Sequence, residues 1–184
     1  MIFVTVGSSE PFDRLIRAVD EWAGLRGRAD VFAQIGRSDY RPQHIQCSQF
    51  LDPSEFRTHF DSAQFVVAHA GMGSIITALE IGKPIVVMPR RAHLGETRSD
   101  HQVATVDRFG QQGGIIVAMD EQELSSKLDH AEMVPMRNQI GPEASPLLIS
   151  AVRSFIEGAG SPSELLPKQR TMARVIQKIA RSFR

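Results

Sequence analysis

Six short apolar runs punctuate the chain, and between most of them the apolar residues recur every three or four positions. Ile2 to Val6 is β-branched and aromatic and ends in Gly7-Ser8-Ser9, a pattern that predicts a first strand feeding a loop. Pro11 suits the first turn of a helix whose apolar positions, Phe12, Leu15, Ile16, Val19, Trp22 and Ala23, keep helical spacing. Val31 to Ile35 and Gln46 to Leu51 read as the second and third strands. Asp52-Pro53-Ser54-Glu55 is a helix start with a cap, a proline at the first position and an acid three residues after the cap; this helix should run to about Phe60. Phe65 to Ala68 and Ile85 to Met88 are too uniformly apolar to have a wet face, so both are expected at the centre of a sheet. Ile75 to Glu80, between them, reads as helix. Ser99 to Phe109 reads as another, Gly113-Gly114 breaks it, Ile115 to Ala118 is a sixth strand, and Asp120-Glu121-Gln122-Glu123 opens a further helix with acids in its first turn.

Strands alternating with helices imply right-handed βαβ units: an α/β chain with a doubly wound parallel sheet of about six strands and helices on both faces. In such sheets ligands bind at the carboxyl ends of the strands. The loops from Gly7 to Pro11, from His69 to Ser74 and from Pro89 to Gln102 all lie at such ends. Met133 to Pro146 carries three prolines and a glycine and reads as a linker before an apolar helix from Pro146 to Ile156. A Gly-Ala-Gly-Ser-Pro break at 158–162 then separates a domain spanning 1–158 from a C-terminal helix at 163–184.

At 184 residues the chain suits one domain of ordinary size, and its 42% apolar and 23% charged composition is that of a globular protein. The N-terminus lacks a basic leader and goes straight into a strand, and no apolar run reaches the ~18 residues of a membrane span, so a cytoplasmic protein is expected. The single cysteine, Cys47, fits a reducing compartment and is expected to be a buried strand residue. Net charge is zero but unevenly placed: Ser163 to Arg184 holds six basic residues and one acid, leaving the body acidic and unsuited to nucleic acid. Leu165, Met172, Val175, Ile176, Ile179 and Phe183 give this tail an apolar face opposite its cationic one, as expected of a helix that docks on a partner or lies near an anionic membrane, or of a closing helix packed on its own domain.

The chemistry concentrates in His69-Ala70-Gly71-Met72-Gly73-Ser74. A glycine turn between an apolar strand and a helix aims free N–H groups at whatever sits above the strand ends, which is a seat for phosphate or diphosphate. Gly71 and Gly73 allow close approach to the backbone, and Ser74 adds a hydroxyl. A dinucleotide fingerprint is excluded because the third glycine is missing, and a Walker loop because Pro84 follows Gly82-Lys83. His93, Glu96, Asp100 and His101 match no usual metal spacing, and neither metal nor cofactor is expected.

The order of these pieces resembles the C-terminal, donor-binding half of GT-B glycosyltransferases, closest to the small Alg13-like and bacterial exopolysaccharide subunits of the glycosyltransferase 28 group. Three stretches carry it: Phe3-Val-Thr-Val-Gly7 with Pro11-Phe12-Asp13-Arg14-Leu15, His69 to Ser74 with Gly82-Lys83-Pro84, and Asp100-His101-Gln102. The resemblance implies a Rossmann-like domain that binds a UDP-sugar without an obligatory metal. Gly7 and Ser8 would face the diphosphate, His69 to Ser74 would seat it, and Gln102 with His101 would hold donor-sugar hydroxyls. His69 would ease the charge gathering on the leaving group, while the catalytic base would come from elsewhere. Relatives often hold the ribose with a glutamate where this chain has Thr77, and Glu80 lies one helical turn beyond. Arg90, Arg91, His93 and Arg98 form either a solvated loop or a set that would suit an acidic donor sugar such as a uronic acid. One half of a GT-B enzyme needs another polypeptide. The resemblance therefore implies a subunit of an inverting heteromeric hexosyltransferase. An Alg14-like partner would anchor it at the inner face of the membrane, and the acceptor would be a lipid-linked saccharide for exopolysaccharide. The alternatives are a non-catalytic enhancer of such a partner, an epimerase-like hydrolase, and, for the chain alone, a homodimer.

Overall fold

A computed structural model describes residues 1–110, 113–133, 140–141 and 143–157. The described residues fall into two compact units that divide after Ile140. The first is built on six parallel strands: β1 (Ile2–Thr5), β2 (Val31–Gln34), β3 (Gln46–Ser48), β4 (Phe65–His69), β5 (Ile85–Met88) and β6 (Ile115–Val117), in the order β3-β2-β1-β4-β5-β6. The helices α1 (Asp13–Arg26), α2 (Pro53–Ser62), α3 (Met72–Glu80), α4 (His101–Phe109) and α5 (Glu121–Ala131) connect or follow them. This is the doubly wound, Rossmann-like arrangement expected from the alternation of elements.

The two-residue period of the central strands sorts their side chains onto two faces. Ile2 and Val4, Phe65 and Val67, and Val86 and Met88 join Leu15, Ile16, Val19 and Trp22 of α1 and Leu124 and Leu128 of α5 in one buried cluster. Phe3, Val66, Ala68, Ile85 and Val87 face the other way, against Phe60 of α2, Ile75 and Leu79 of α3 and Val106 of α4. β1, β4 and β5 are buried along their whole length apart from half-buried His69, which is why they lack polar alternation.

Local chemistry sets the helix ends. Asp52 Oδ1 accepts the N–H groups of Ser54 and Glu55, Glu55 Oε2 accepts that of Asp52, and Pro53 stands at the first position, so the capping box forms as the residues predict. Lys83 closes the other end of α2 by donating to the carbonyls of Asp61 and Ala63. α1 begins at Asp13 with buried Phe12 as its cap, so Pro11 precedes the helix instead of opening it. Asp20, on the buried side of α1, accepts the N–H groups of Gln43, His44 and Ile45 and the Tyr40 hydroxyl, and so pins the loop between β2 and β3.

Cys47 is exposed, contrary to expectation. β3 is the sheet edge, and it presents Gln46 and Cys47 to solvent. In the second unit, α6 (Pro146–Ile156) starts at Ser145, whose hydroxyl accepts the Leu148 N–H at 3.3 Å. It exposes Leu147, Ile149, Val152, Phe155 and Ile156. The basic helix expected at 163–184 lies outside the described residues. No described helix is long and apolar enough to cross a membrane.

Candidate functional site

β1 and β4 are neighbours, with Thr5 opposite Ala68, yet the connections leaving them run to opposite sides of the sheet. The strand order reverses between them, the point at which sheets of this kind offer a ligand crevice above their carboxyl ends. The loop of Gly7 and Ser8 leaves one of these ends and the turn from His69 to Ser74 the other, as the two candidate walls, and the reversal brings them together although they lie far apart in the chain.

His69 closes β4 with its imidazole wedged between the two loops. A Cβ on Gly7 would lie 3.0 Å from His69 Cε1, and one on Gly71 would lie 2.3 Å from Nε2. Gly7 also has φ +74°, which a side chain would strain. Both glycines therefore make room for the imidazole, a use that their spacing did not reveal. The His69 Nδ1 is buried with no hydrogen-bond partner among the described residues. Burial, and then the charge of Arg90, push the imidazole down to about 4, with the Thr5 main chain partly opposing. At neutral pH His69 is thus an uncharged imidazole and can stabilise a ligand anion through an N–H, not as a cation. Its carbon-bound ring protons should show no protonation step above about pH 5 in an NMR titration. The unfolded chain takes up a proton near the ordinary histidine pKa and the folded one does not, so this residue should subtract stability as pH falls from about 6.5 to 4.

α3 starts at the crevice with Gly71 as its cap and no side-chain cap bond. The first intrahelical bond is donated by Ile75 to the Gly71 carbonyl, which leaves the N–H groups of Met72, Gly73 and Ser74 at the open end of the helix. A Cβ on Gly73 would meet nothing within 4 Å, so unoccupied space begins there. Met72 and Ser8 are exposed and Ser74 is half-buried. Ala70 is a core residue, 1% exposed, with its N–H on the Met88 carbonyl, so it supports the turn from beneath. The Thr77 hydroxyl is turned back onto the Gly73 carbonyl at 2.9 Å and is used within the helix.

His101 and Gln102 open α4 on the third loop. His101 is exposed, whereas Gln102 Oε1 accepts the Arg90 N–H at 3.0 Å. That bond fixes the amide orientation and leaves the Gln102 NH2 as the group available to a ligand.

The arginines behave differently from the expectation of an acidic-sugar site. Arg90 is 3% exposed, and its guanidinium donates to the carbonyls of Val6, Glu10 and Pro11. Arg91 donates to the Met119 carbonyl at 2.6 Å. Two of the three arginines are thus spent on the main chain, and Arg98 remains exposed. Arg14 makes a two-pronged ion pair with Glu96, whose Oε2 also accepts the Arg91 N–H. Asp100 Oδ1 accepts the Ala92 N–H. Glu96 and Asp100 are therefore loop fasteners. Among the described residues, no group of three or more His, Cys, Asp or Glu side chains is placed to hold a metal. Arg90 and Glu96 went unread as supports because charged residues in a loop look solvated, and Arg14 because a charged residue in the first turn of a helix does too. The available signal was Arg90 following buried Met88 and Pro89 directly at a central strand end.

The model of the glycosyltransferase family 28 C-terminal domain matches residues 1–154. The chain belongs to this family. It is 30% identical over 122 residues to the human UDP-N-acetylglucosamine transferase subunit ALG13, a match that covers 61% of this chain and 10% of that protein. The subunit of the same name from Yarrowia lipolytica is 25% identical over 133 residues, covering 65% of each. The chain therefore spans a tenth of the length of one relative and about two thirds of the other. Among solved structures, the solution NMR structure of ALG13 superposes with a TM-score of 0.54 at 18% identity, over 82% of this chain and 93% of that one, and shows the same half-GT-B fold. The matched stretch contains both walls of the crevice and Gln102.

Proposed function

We propose that this chain is the donor-binding subunit of an inverting, two-polypeptide glycosyltransferase that takes a UDP-linked sugar, with UDP-N-acetylglucosamine the first candidate because both relatives are named for it. The observation that carries the reading is the uncapped start of α3 opening onto free space at Gly73, at the point where the strand order reverses. A diphosphate there would accept the N–H groups of Met72, Gly73 and Ser74, with Ser8 on the facing wall. As the sugar leaves, negative charge gathers on the diphosphate, and these fixed dipoles with the neutral His69 stabilise it without reorganising. Gln102 would offer its NH2 to the sugar, with His101 beside it.

The attacking hydroxyl and the base that activates it belong to the other half of the enzyme. By family resemblance that half is an Alg14-like, membrane-anchored partner, and the acceptor is a lipid-linked saccharide in exopolysaccharide synthesis. The chain would then work on the cytoplasmic side of the membrane. In the rival reading, an enhancer of such a partner that has lost its nucleotide, the use of the Thr77 hydroxyl within α3 leaves the ribose without the glutamate that relatives employ.

Titration of UDP, GDP and ADP, followed by calorimetry with and without the partner, tests this. UDP should bind, weakly to the lone subunit, and uptake of no nucleotide in either form would favour the enhancer. Gln102→Ala should slow sugar transfer by about tenfold or more with little change in UDP affinity, whereas His69→Ala should impair both. The reverse pattern in the reconstituted pair would show that the residue roles are misassigned.

A further inference from the structure

A buried arginine that spends its hydrogen bonds on main-chain carbonyls and on a loop-bordering amide is doing something other than holding charge. Arg90 donates from Nη2 to the carbonyls of Val6 at 2.7 Å and Glu10 at 2.6 Å, and from Nε to that of Pro11 at 3.3 Å. These carbonyls bracket Gly7, Ser8 and Ser9, so one planar group holds both ends of the loop that forms the first wall of the crevice. The guanidinium also stands 4.9 Å from the centre of the Phe12 ring, and that of Arg14 stands 5.3 Å from it. The Arg90 main-chain N–H meets Gln102 Oε1 on the third loop.

We infer that Arg90 is a positioning residue for the donor site: through its guanidinium and its main-chain N–H it sets the Gly7–Ser9 loop, Gln102 and the His69 ring between the loops in one arrangement. The inference rests on the donor-site reading above. Burying a guanidinium is costly unless its donors are matched, and a fork matched to three carbonyls is a geometry that lysine cannot reproduce. The charge matters separately. Arg90 is the charged group acting on His69, while Glu10 and Glu96 act on Arg90 itself. Arg90 therefore has two separable effects, loop geometry from its fork and, from its charge, a contribution second to burial in keeping His69 neutral.

Substitution separates them. Arg90→Lys keeps the charge and loses the fork; Arg90→Met loses both. In ligand-free amide spectra both variants should shift Gly7, Ser8 and Ser9, the loop bracketed by the carbonyls that the guanidinium holds. The His69 titration midpoint, about 4 in the parent chain, should rise in Arg90→Met and stay near the parent value in Arg90→Lys. UDP, used as the probe, should bind at least tenfold more weakly to either variant. Unshifted loop amides, or UDP affinity within twofold of the parent in folded Arg90→Lys, would overturn the inference. Should neither variant fold, the Arg90 Nε–H of the parent chain decides: slow exchange with solvent supports the clamp, and exchange as fast as that of an exposed arginine overturns it. A parent chain that takes up no UDP, GDP or ADP sinks the donor-site reading instead, and the ligand-free shifts still decide whether Arg90 sets the loop.

Discussion

Gly73→Leu should abolish measurable UDP binding while leaving the melting temperature unchanged or slightly raised. The space around a Cβ at this position is empty, so the folded chain accepts the side chain without a clash. Glycine near a helix start also carries a propensity cost of up to ~1 kcal/mol, which leucine removes. The same side chain would occupy the place where a diphosphate must approach the α3 N–H groups. We expect a loss of at least about a hundredfold, or ~2.8 kcal/mol at ~1.4 kcal/mol per tenfold. Gly71→Ala is the matched control. Its methyl would come within 2.3 Å of His69 Nε2, so it should cost ~1–3 kcal/mol of stability through overpacking and weaken binding as well. Calorimetric titration and thermal melts of both variants check the contrast. Equal effects of the two on melting would mean that Gly73 is part of the packing and not of an open seat.

The second large effect is expected outside the candidate donor-site residues, at Asp20. This carboxylate is 1% exposed and takes four donors: the N–H groups of Gln43, His44 and Ile45 and the Tyr40 hydroxyl. Asp20→Ala would leave those donors facing one another across a small void. A loss of ~3–5 kcal/mol is expected, a large fraction of a typical domain's stability and equivalent to roughly 10–15 °C in melting temperature. The pH dependence carries a second signature. Burial alone would raise the pKa of Asp20, but the hydrogen bonds from Gln43, His44, Tyr40 and Ile45 outweigh it and hold it below the ordinary carboxylate value. Its contribution is therefore complete above the unfolded-state pKa and is lost as pH falls through the folded one. Asp20→Asn should flatten the acid limb of a stability-versus-pH curve measured by urea unfolding. An unchanged acid limb would place the acid sensitivity elsewhere.

Strand and helix identities were legible because each rested on local chemistry. The Asp52-Pro53-Glu55 box depends only on neighbours, and the uniform apolarity of Phe65 to Ala68 and Ile85 to Met88 follows from burial on both faces. Cys47 was misplaced because a three-residue edge strand has the same letters as a buried one; only the strand order puts it at the rim. Within the candidate site, the phosphate-facing turn could be read from His69 to Ser74, yet the purposes of its glycines could not. Gly71 serves His69, whereas Gly73 borders open space, and this difference depends on where an imidazole from the preceding strand points. Arg90 and Asp20 were hidden for a related reason: a charged side chain that bonds to main-chain atoms leaves no partner residue type to recognise. Asp20 did carry a signal, being four residues from Ile16 and one from Val19 on the buried stripe of α1.

The strand order also bears on how the chain comes to be folded. β1 pairs with β4, Ile2 with Phe65 and Thr5 with Ala68, so the first strand made waits for the fourth before its second edge is satisfied. Closing that span costs chain entropy before the pairing contacts repay it, which slows formation of the central sheet. Until then the two loops at the strand-order reversal are not neighbours, and the proposed nucleotide would have nothing to bind. Such a nucleotide would recognise the native state alone and stabilise it by RT ln(1 + [L]/Kd). If the proposed donor site holds, the pool of sugar nucleotide would then also influence what fraction of newly made chains stays folded.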